Sequence, residues 1–321
     1  MRLKNKTNPK IRNYGYESRC PKQAVKNALE DYYSSYSTRD SNESRFNHFI
    51  DFHENKETGI KDLRNINIEM IRDYTFHIND QYTRGKYSLN TAHNYISAIN
   101  NVMKILRGDR GLYVSAVKDA GLPRRDYIRT ENRASYKSVE ALLGAPNTKN
   151  NGLELLQRAF GLRFEESTKA NAKALLKQAQ KAGTVKIQDG TKGGQSRQIP
   201  ITLPTQIEAL MKVTAIQGEK RSLVDSDKSY IDFSRKLYRD NQEERFHDNR
   251  HAYAQDRYTE IAGADCPLRA EISHGKAHFE YLSIELGISI KEARIKDKEA
   301  RKIISQELGH LRQDITNHYL G

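Results

Sequence analysis

The sequence predicts a mainly helical protein with one small β-sheet, and three observations lead to this fold class. Apolar residues recur at the 3.6-residue period of an amphipathic helix along most of the chain. Only two short segments, 184–190 and 197–202, alternate apolar and polar residues as strands do. With 321 residues, the chain is long enough for two domains that each bury a core.

The first domain is predicted to be all helical. Residues 1–19 form an irregular basic arm, and Pro21 then suits the first position of a helix. Further helical segments are predicted at about 41–54, 67–82 and 88–107. The last has the clearest ends, because Ser88 can cap its first turn and Gly108 can end it. Helices with short connections and no strand between them indicate a helical domain over residues 20–122.

A linker and a second domain follow. Residues 123–136 are basic and polar and are broken by Pro123, which is typical of a linker between domains. The second domain, 137–321, opens with a helix that Ser138 can cap. It contains both predicted strands, and after Leu203 the pattern is helical almost to the end.

The charge of the chain indicates a polyanionic partner. Lys and Arg number 54 against 41 Asp and Glu, a net charge of +13, and the pI is near 9.5. Residues 1–134 hold 24 basic and 16 acidic groups, which gives +8 of that total. This asymmetry favours nucleic acid bound mainly by the N-terminal half, although a solvated basic surface is the alternative. Residues 1–12 of the basic arm would then follow a DNA groove or bind accessory sites, or they would be a disordered tail.

Several other classes of protein are excluded by composition. No run of eighteen apolar residues exists that could span a membrane, and the first residues lack the apolar core of a secretory signal. Cys20 and Cys266 lie too far apart to suggest a disulfide framework or a metal site. We therefore expect a reduced, cytoplasmic, nucleoid-associated protein without a bound metal.

Short motifs in the second domain place cationic residues and a tyrosine in a fixed order. They are Gly161-Leu-Arg163-Phe-Glu-Glu166, Lys192 at the tip of the predicted hairpin, His247-Asp-Asn-Arg250, Leu308-Gly-His310 and, nine residues later, Tyr319. Two guanidinium groups can hold phosphate oxygens and stabilise the charge of a phosphorane. A tyrosine hydroxyl can attack phosphorus to give a phosphotyrosine. Each motif is common by itself, but the complete ordered set is very specific.

This ordered set resembles that of the tyrosine recombinases of the phage-integrase family, over about residues 135–321. The resemblance implies a helical SAM-like core-binding domain followed by a tyrosine-recombinase catalytic domain, which clamp duplex DNA together. It also implies the following roles: Arg163 and Arg250 bind the scissile phosphate with help from His310, Lys192 protonates the leaving 5′ oxygen, His247 supports acid–base chemistry at the tyrosine, Tyr319 is the nucleophile that forms a 3′-phosphotyrosyl link, and Glu166 orients the arginines.

The resemblance further implies the partners of the protein. It implies double-stranded DNA at a specific recombination site, no cofactor, ATP or metal, and a homotetramer that exchanges strands through a Holliday junction. The free protein would be a monomer or weak dimer, with accessory directionality or host DNA-bending factors as further partners. Integration or excision of a mobile element is the expected role. Relaxation of DNA by a type IB topoisomerase-like enzyme and a catalytically silent DNA-binding regulator are the alternatives.

Residues outside the signature are also candidates for DNA contact. Arginines of a linker that lies along DNA would neutralise its phosphates, and the polar face of the 88–107 helix could contact DNA. These candidates are Thr91, Lys104, Arg124, Arg125, Arg129 and Arg133.

The chain departs from the family pattern in two places. Asn249 stands where the family usually has Leu, and we expect it to change a packing contact. The distance from Arg250 to His310 is long for the family and predicts a helical insertion around 266–301. That insertion is either solvated or contacts a partner or DNA. His251, beside the second arginine, is expected to be structural.

Overall fold

The computed structural model describes residues 7–56, 59–242, 245–310 and 312–321. The chain divides into two compact units between Arg125 and Asp126, and each unit has its own buried apolar core. The predicted fold class, mainly helical with one small sheet, is confirmed. Among the described residues, no helix is both long enough and apolar enough to span a bilayer.

The described residues of the first unit form four α-helices. They are α1 (Pro21–Tyr32), α2 (Tyr36–Glu54), α3 (Ile68–Thr83) and α4 (Leu89–Arg107). The hydroxyl of Ser88 accepts a hydrogen bond from the Thr91 amide, and Gly108 adopts a left-handed φ of 78°, so α4 begins and ends as predicted. Helix α2 begins at Tyr36, five residues before the predicted start at 41. Ser35 is its N-cap residue, but the Ser35 side chain makes no capping hydrogen bond.

Part of the basic arm is packed into the first unit. Asn13 is fully buried, where its side chain accepts a hydrogen bond from the Leu63 amide and donates one to the Ser18 carbonyl. Tyr14 and Tyr16 join the apolar core. Asn13, Tyr14 and Tyr16 are therefore fixed in the first unit, and they follow the segment 1–12 for which a disordered tail is one alternative. The arm's first six residues lie outside the described part of the chain.

The second unit surrounds its sheet with helices. Its elements are α5 (Val139–Gly144), α6 (Lys149–Phe160), α7 (Phe164–Lys169), α8 (Ala172–Ala182), β1 (Thr184–Ile187), β2 (Arg197–Pro200), α9 (Pro204–Gln217), α10 (Tyr230–Asp240), α11 (Phe246–Ala262), α12 (Pro267–Ala270), α13 (Lys276–Leu286), α14 (Ile290–Glu307) and α15 (Asn317–Leu320). The strands pair antiparallel, with Val185 opposite Ile199, and both are shorter than predicted. Helix α11 packs against α6, α14 and α15, so its residues face several elements at once.

The tract 266–301 is helical, as the sequence predicted. It contains α12, α13 and most of α14. Ser289 and Glu292 form a capping box at the start of α14. Leu282 and Ala293 bury a small apolar cluster together with Ala264. The insertion is thus an ordered part of the second unit.

Candidate active site

The start of helix α7 brings Arg163 and Glu166 together. Arg163 occupies the N-cap position, and the fully buried carboxylate of Glu166 accepts hydrogen bonds from its backbone amide at 2.7 Å and its Nη1 at 2.8 Å. This is one half of a capping box, in which the Glu166 carboxylate accepts from the N-cap amide, and an acidic group is favoured at a helix N-terminus. About a quarter of the Arg163 side chain (24%) stays exposed, so its guanidinium remains open to a ligand.

A third arginine, Arg197, was missed by the sequence analysis. It begins β2, and its Nη1 and Nη2 donate to the two carboxylate oxygens of Glu166 at 2.8 and 2.7 Å. Burial alone would raise the pKa of Glu166, but the hydrogen bonds and charges of Arg197 and Arg163 outweigh it and lower the pKa to about 2. Strand alternation could have revealed Arg197, since it shares the buried face of β2 with Ile199.

Arg197 also reaches the loop that carries His310. Its Nε donates to the Glu307 carbonyl at 2.6 Å. Gly309 adopts a φ of +67° there, and a Cβ added to it would lie 2.9 Å from the Arg197 Cδ. Only glycine satisfies both conditions without strain. The motif Leu308-Gly-His310 is therefore shaped by the arginine that also holds Glu166.

Arg250, on α11, is fully buried, and its donors are directed to three segments of the chain. Nη1 donates to the Gly161 carbonyl, Nη2 to the Leu308 carbonyl at 2.6 Å and Nε to the Tyr319 hydroxyl at 3.2 Å. A buried guanidinium is costly unless it is hydrogen-bonded, and these bonds offset that cost. The Arg250 side chain is therefore fixed before any ligand binds.

His310 lies beside the same guanidinium. Its Nε2 is 3.3 Å from the Arg250 Nη2, and its amide donates to the Ser305 carbonyl at 2.8 Å. Burial, followed by the charges of Arg250 and Arg163, lowers the pKa of His310 to about 3. The ring is therefore neutral near pH 7, and its Nε2 can accept a hydrogen bond from Arg250.

Tyr319 is docked in the pocket of its own chain. Only 5% of the residue is exposed, and its hydroxyl lies 3.2 Å from the Arg250 Nε and 3.5 Å from the His247 Nε2. The Gln255 side chain donates to the Tyr319 carbonyl at 3.1 Å. Although His247 keeps solvent-exposed atoms, partial burial and then the charges of Arg250 and other arginines lower its pKa to about 4.

His251 packs against the tyrosine ring. The two ring centroids are 4.6 Å apart, and His251 is buried. Burial, then the charge of neighbouring His247, lowers the pKa of His251 to about 3. Its Nδ1 is buried and makes no hydrogen bond within the described residues. His251 therefore packs against the nucleophile candidate, and its structural role stays a prediction.

Lys192 is the one signature residue that the structure leaves apart from the others. It lies exposed on the turn Lys192–Gly194 and makes no hydrogen bond or ion pair within the described ranges. Gly190, in the loop that leads to Lys192, lies close to α7. A Cβ added to Gly190 would be 2.7 Å from the Glu165 carbonyl oxygen. The other five signature residues and Glu166 form one cluster.

The candidate DNA-contact residues differ in their surroundings. In the first unit, Arg125 folds back onto α4, where its Nη2 donates to the Asn90 carbonyl at 3.2 Å and to the Asn94 side chain at 2.9 Å. In the second unit, the amide of Arg129 donates to the Asn317 carbonyl at 3.2 Å. Lys104, Arg124 and Arg133 are exposed, and the Thr91 hydroxyl contacts Ser88. Arg129 therefore lies against the turn that carries Tyr319.

Asn249 is buried in α11 beside Arg250, and its Oδ1 has no hydrogen-bond partner in the described part of the chain. The sequence predicted a changed packing contact here, and the structure adds an unsatisfied acceptor. No group of three or more His, Cys, Asp or Glu side chains suited to a metal ion occurs in the described ranges.

Comparison with known families connects this geometry to a class of protein. Residues 129–256 match the family model described as Integrase. The matched segment contains Arg163, Lys192, His247 and Arg250. The predicted resemblance to the phage-integrase family is therefore confirmed over this segment.

Solved recombinase structures are similar over most of the chain. The site-specific recombinase XerH bound to a palindromic difH substrate, in a post-cleavage complex, matches with 14% identity and a TM-score of 0.47, over 90% of this chain and 84% of that one. XerH in a pre-cleavage complex matches with 15% identity and a TM-score of 0.44, over 90% and 85%. XerA recombinase matches with 14% identity and a TM-score of 0.28, over 88% and 97%. At these TM-scores the likeness assigns no role to any residue. No curated protein matches the chain significantly.

Proposed function

We propose that this protein is a site-specific DNA recombinase that cleaves and rejoins duplex DNA through a covalent 3′-phosphotyrosyl intermediate on Tyr319. The observation that carries the proposal is the position of the Tyr319 hydroxyl, 3.2 Å from the guanidinium of the buried Arg250. A nucleophile placed against the group that binds its target loses little entropy on attack.

Arg163 and Arg250 would bind the scissile phosphate. The ionised Glu166 accepts a hydrogen bond from Arg163 and lies 3.9 Å from the Arg250 Nη1, so both guanidinium groups have a counter-charge nearby. Positive charge held in place before the reaction stabilises the charge that develops on the phosphorane oxygens. His310, whose Nε2 lies 3.3 Å from the Arg250 Nη2, would assist the two arginines in binding the phosphate.

Proton transfers would be shared between His247 and Lys192. The neutral His247 lies 3.5 Å from the Tyr319 hydroxyl and can accept its proton as the bond from oxygen to phosphorus forms. The bond from phosphorus to the 5′ oxygen then breaks, and Lys192 gives that oxygen a proton. An exposed lysine without an internal partner can approach the DNA at no cost in broken contacts.

The partners follow from the same proposal. Duplex DNA at a specific site is the substrate, and the net charge of +13 supports its binding. Strand exchange would proceed through a Holliday junction in a homotetramer, with integration or excision of a mobile element as the outcome. Accessory directionality or DNA-bending factors would complete the assembly.

A nicked suicide substrate tests this proposal. DNA taken from the junctions that flank the gene is nicked next to the cleavage position, so that the released fragment diffuses away and the adduct accumulates. We expect wild-type protein to form a covalent adduct on a denaturing gel and Tyr319→Phe to form none. Adduct formation by Tyr319→Phe, or none by wild type on its own site, contradicts the proposal. Plasmid relaxation without recombination would favour the topoisomerase alternative, and binding without cleavage would favour the regulator.

A further inference from the structure

The turn that carries Tyr319 depends on other parts of the chain for its position. Helix α15 has four residues, Asn317–Leu320, and a helix this short has no stability by itself. The hydroxyl of Tyr319 must nevertheless lie within hydrogen-bond distance of Arg250 for attack. Contacts from outside α15 therefore determine where the hydroxyl lies.

The helical insertion supplies two of these contacts. The Nη1 of Arg301 donates to the Asn317 side-chain oxygen at 3.0 Å. The Nδ1 of His274, in the loop between α12 and α13, lies 2.9 Å from the Gly321 carbonyl oxygen. One contact holds the start of α15 and the other holds the residue after it.

Arg301 is itself fixed. It is buried in α14, and its Nε donates to both carboxylate oxygens of Asp297 at 2.9 and 3.0 Å. Asp297 also accepts a hydrogen bond of 2.6 Å from the Tyr258 hydroxyl on α11, the helix that carries Arg250. The insertion is thereby joined to the arginine-bearing helix on one side and to the tyrosine-bearing turn on the other.

His274 can serve as the donor in its contact. Its Nδ1 is closer to the Gly321 carbonyl, at 2.9 Å, than to the Arg301 Nη2, at 3.3 Å. The shorter contact assigns the hydrogen to Nδ1, because a carbonyl oxygen can only accept. Burial, and then the charge of Arg301, lowers the pKa of His274 and so disfavours a second proton on the ring.

We propose that the insertion 266–301 positions the nucleophile, with Arg301 and His274 as positioning residues that hold the Tyr319 turn against Arg250. This inference rests on the function proposed above. The contacts from Gln255 and Arg129 to α15 remain when the insertion is altered, so the loss should be partial.

Single-turnover cleavage of the suicide substrate tests the inference. The variants Asn317→Ala and His274→Ala each remove one contact and leave the pair of Arg301 with Asp297 intact. Arg301→Lys keeps the charge, but one amine cannot replace the guanidinium's bonds to Asp297 and Asn317. We expect adduct formation at saturating DNA to slow by about 10- to 100-fold in each variant, since small misplacements of reacting groups have effects of this size. DNA affinity should stay within about twofold of wild type.

A double-mutant cycle separates positioning from loss of structure. If Arg301 acts through Asn317, the variant with both Arg301→Lys and Asn317→Ala should cleave no more slowly than the slower single variant. Arg294→Lys, an exposed change on the same helix, is the matched control and should cleave at the wild-type rate.

The outcomes are distinct. Wild-type cleavage rates in Asn317→Ala and His274→Ala would overturn the positioning role while the proposed function stands. The same holds if the double variant slows cleavage by the product of the two single-variant factors, because the two residues then act independently. If Arg301→Lys does not fold, the other two variants decide the question. Failure of wild type itself to form an adduct would overturn the proposed function and the positioning role together.

Discussion

Arg197 and Glu166 form a two-point salt bridge in which both guanidinium Nη atoms lie within 2.8 Å of the carboxylate oxygens, and both side chains are buried. Glu166 also binds Arg163, and Arg197 also binds the carbonyl before the Leu308-Gly-His310 motif. One ion pair therefore connects the motif at 161–166 with the motif at 308–310. Its loss should affect both stability and the geometry of the pocket.

The first prediction concerns this ion pair. Glu166→Gln leaves the buried Arg197 without a counter-charge, and we expect the free energy of unfolding to fall by about 3–5 kcal/mol. Glu165→Gln is the matched control, because Glu165 pairs with Lys169 in a half-exposed bridge that contributes about 1 kcal/mol or less. Urea unfolding of both variants measures the difference. Equal losses of unfolding free energy in the two variants would show that the buried ion pair contributes no more than the half-exposed one.

The second prediction concerns pH. His251 is held neutral in the folded protein, with its pKa lowered from 6.5 to about 3, whereas the unfolded chain binds its proton near 6.5. Stability from this group is therefore complete above about pH 6.5 and is lost as pH falls towards 3. One such histidine contributes a slope of up to about 1.4 kcal/mol per pH unit. His251→Phe should reduce the measured slope of unfolding free energy between pH 4 and 6, and an unchanged slope would contradict this account.

The third prediction concerns the departure at Asn249. Its buried Oδ1 has no partner, so Asn249→Leu should raise the free energy of unfolding by about 1–2 kcal/mol. Asn151 is the control, because its Oδ1 is also unpaired but its Nδ2 donates to the Leu142 carbonyl at 3.0 Å. Asn151→Leu should therefore destabilise. Thermal or urea unfolding measures both variants. If both substitutions change the free energy of unfolding in the same direction, the unpaired Asn249 Oδ1 does not explain the effect.

The fourth prediction concerns Lys192. If it protonates the leaving oxygen, Lys192→Ala should slow adduct formation by about 100-fold or more and leave DNA affinity nearly unchanged. A substrate with sulfur in place of the 5′ bridging oxygen should restore the rate, because a thiolate leaves without a proton. Lys186→Ala, an exposed change in β1 of the same hairpin, is the control. If the sulfur substrate does not restore the rate of Lys192→Ala, Lys192 does not protonate the leaving oxygen.

Much of the pocket could be predicted because its residues lie in short motifs with recognisable neighbours. Arg163, His247, Arg250, His310 and Tyr319 all lie in one cluster. Arg197 was missed because strand alternation indicates burial but not the partner of a buried charge. The contacts that fix the Tyr319 turn were also missed, because His274 is 47 residues from its partner Gly321 and Arg301 is 16 residues from its partner Asn317. Only the folded insertion brings those groups to α15.

The central claim is that Tyr319 itself attacks the DNA. The covalent adduct from the suicide substrate can be digested with nuclease and trypsin, which releases a peptide that begins after Arg312 and contains one tyrosine up to residue 321. Mass spectrometry of that peptide is the direct measurement. We expect a nucleotide 3′-phosphate attached to Tyr319, and attachment to any other residue would contradict the proposed function.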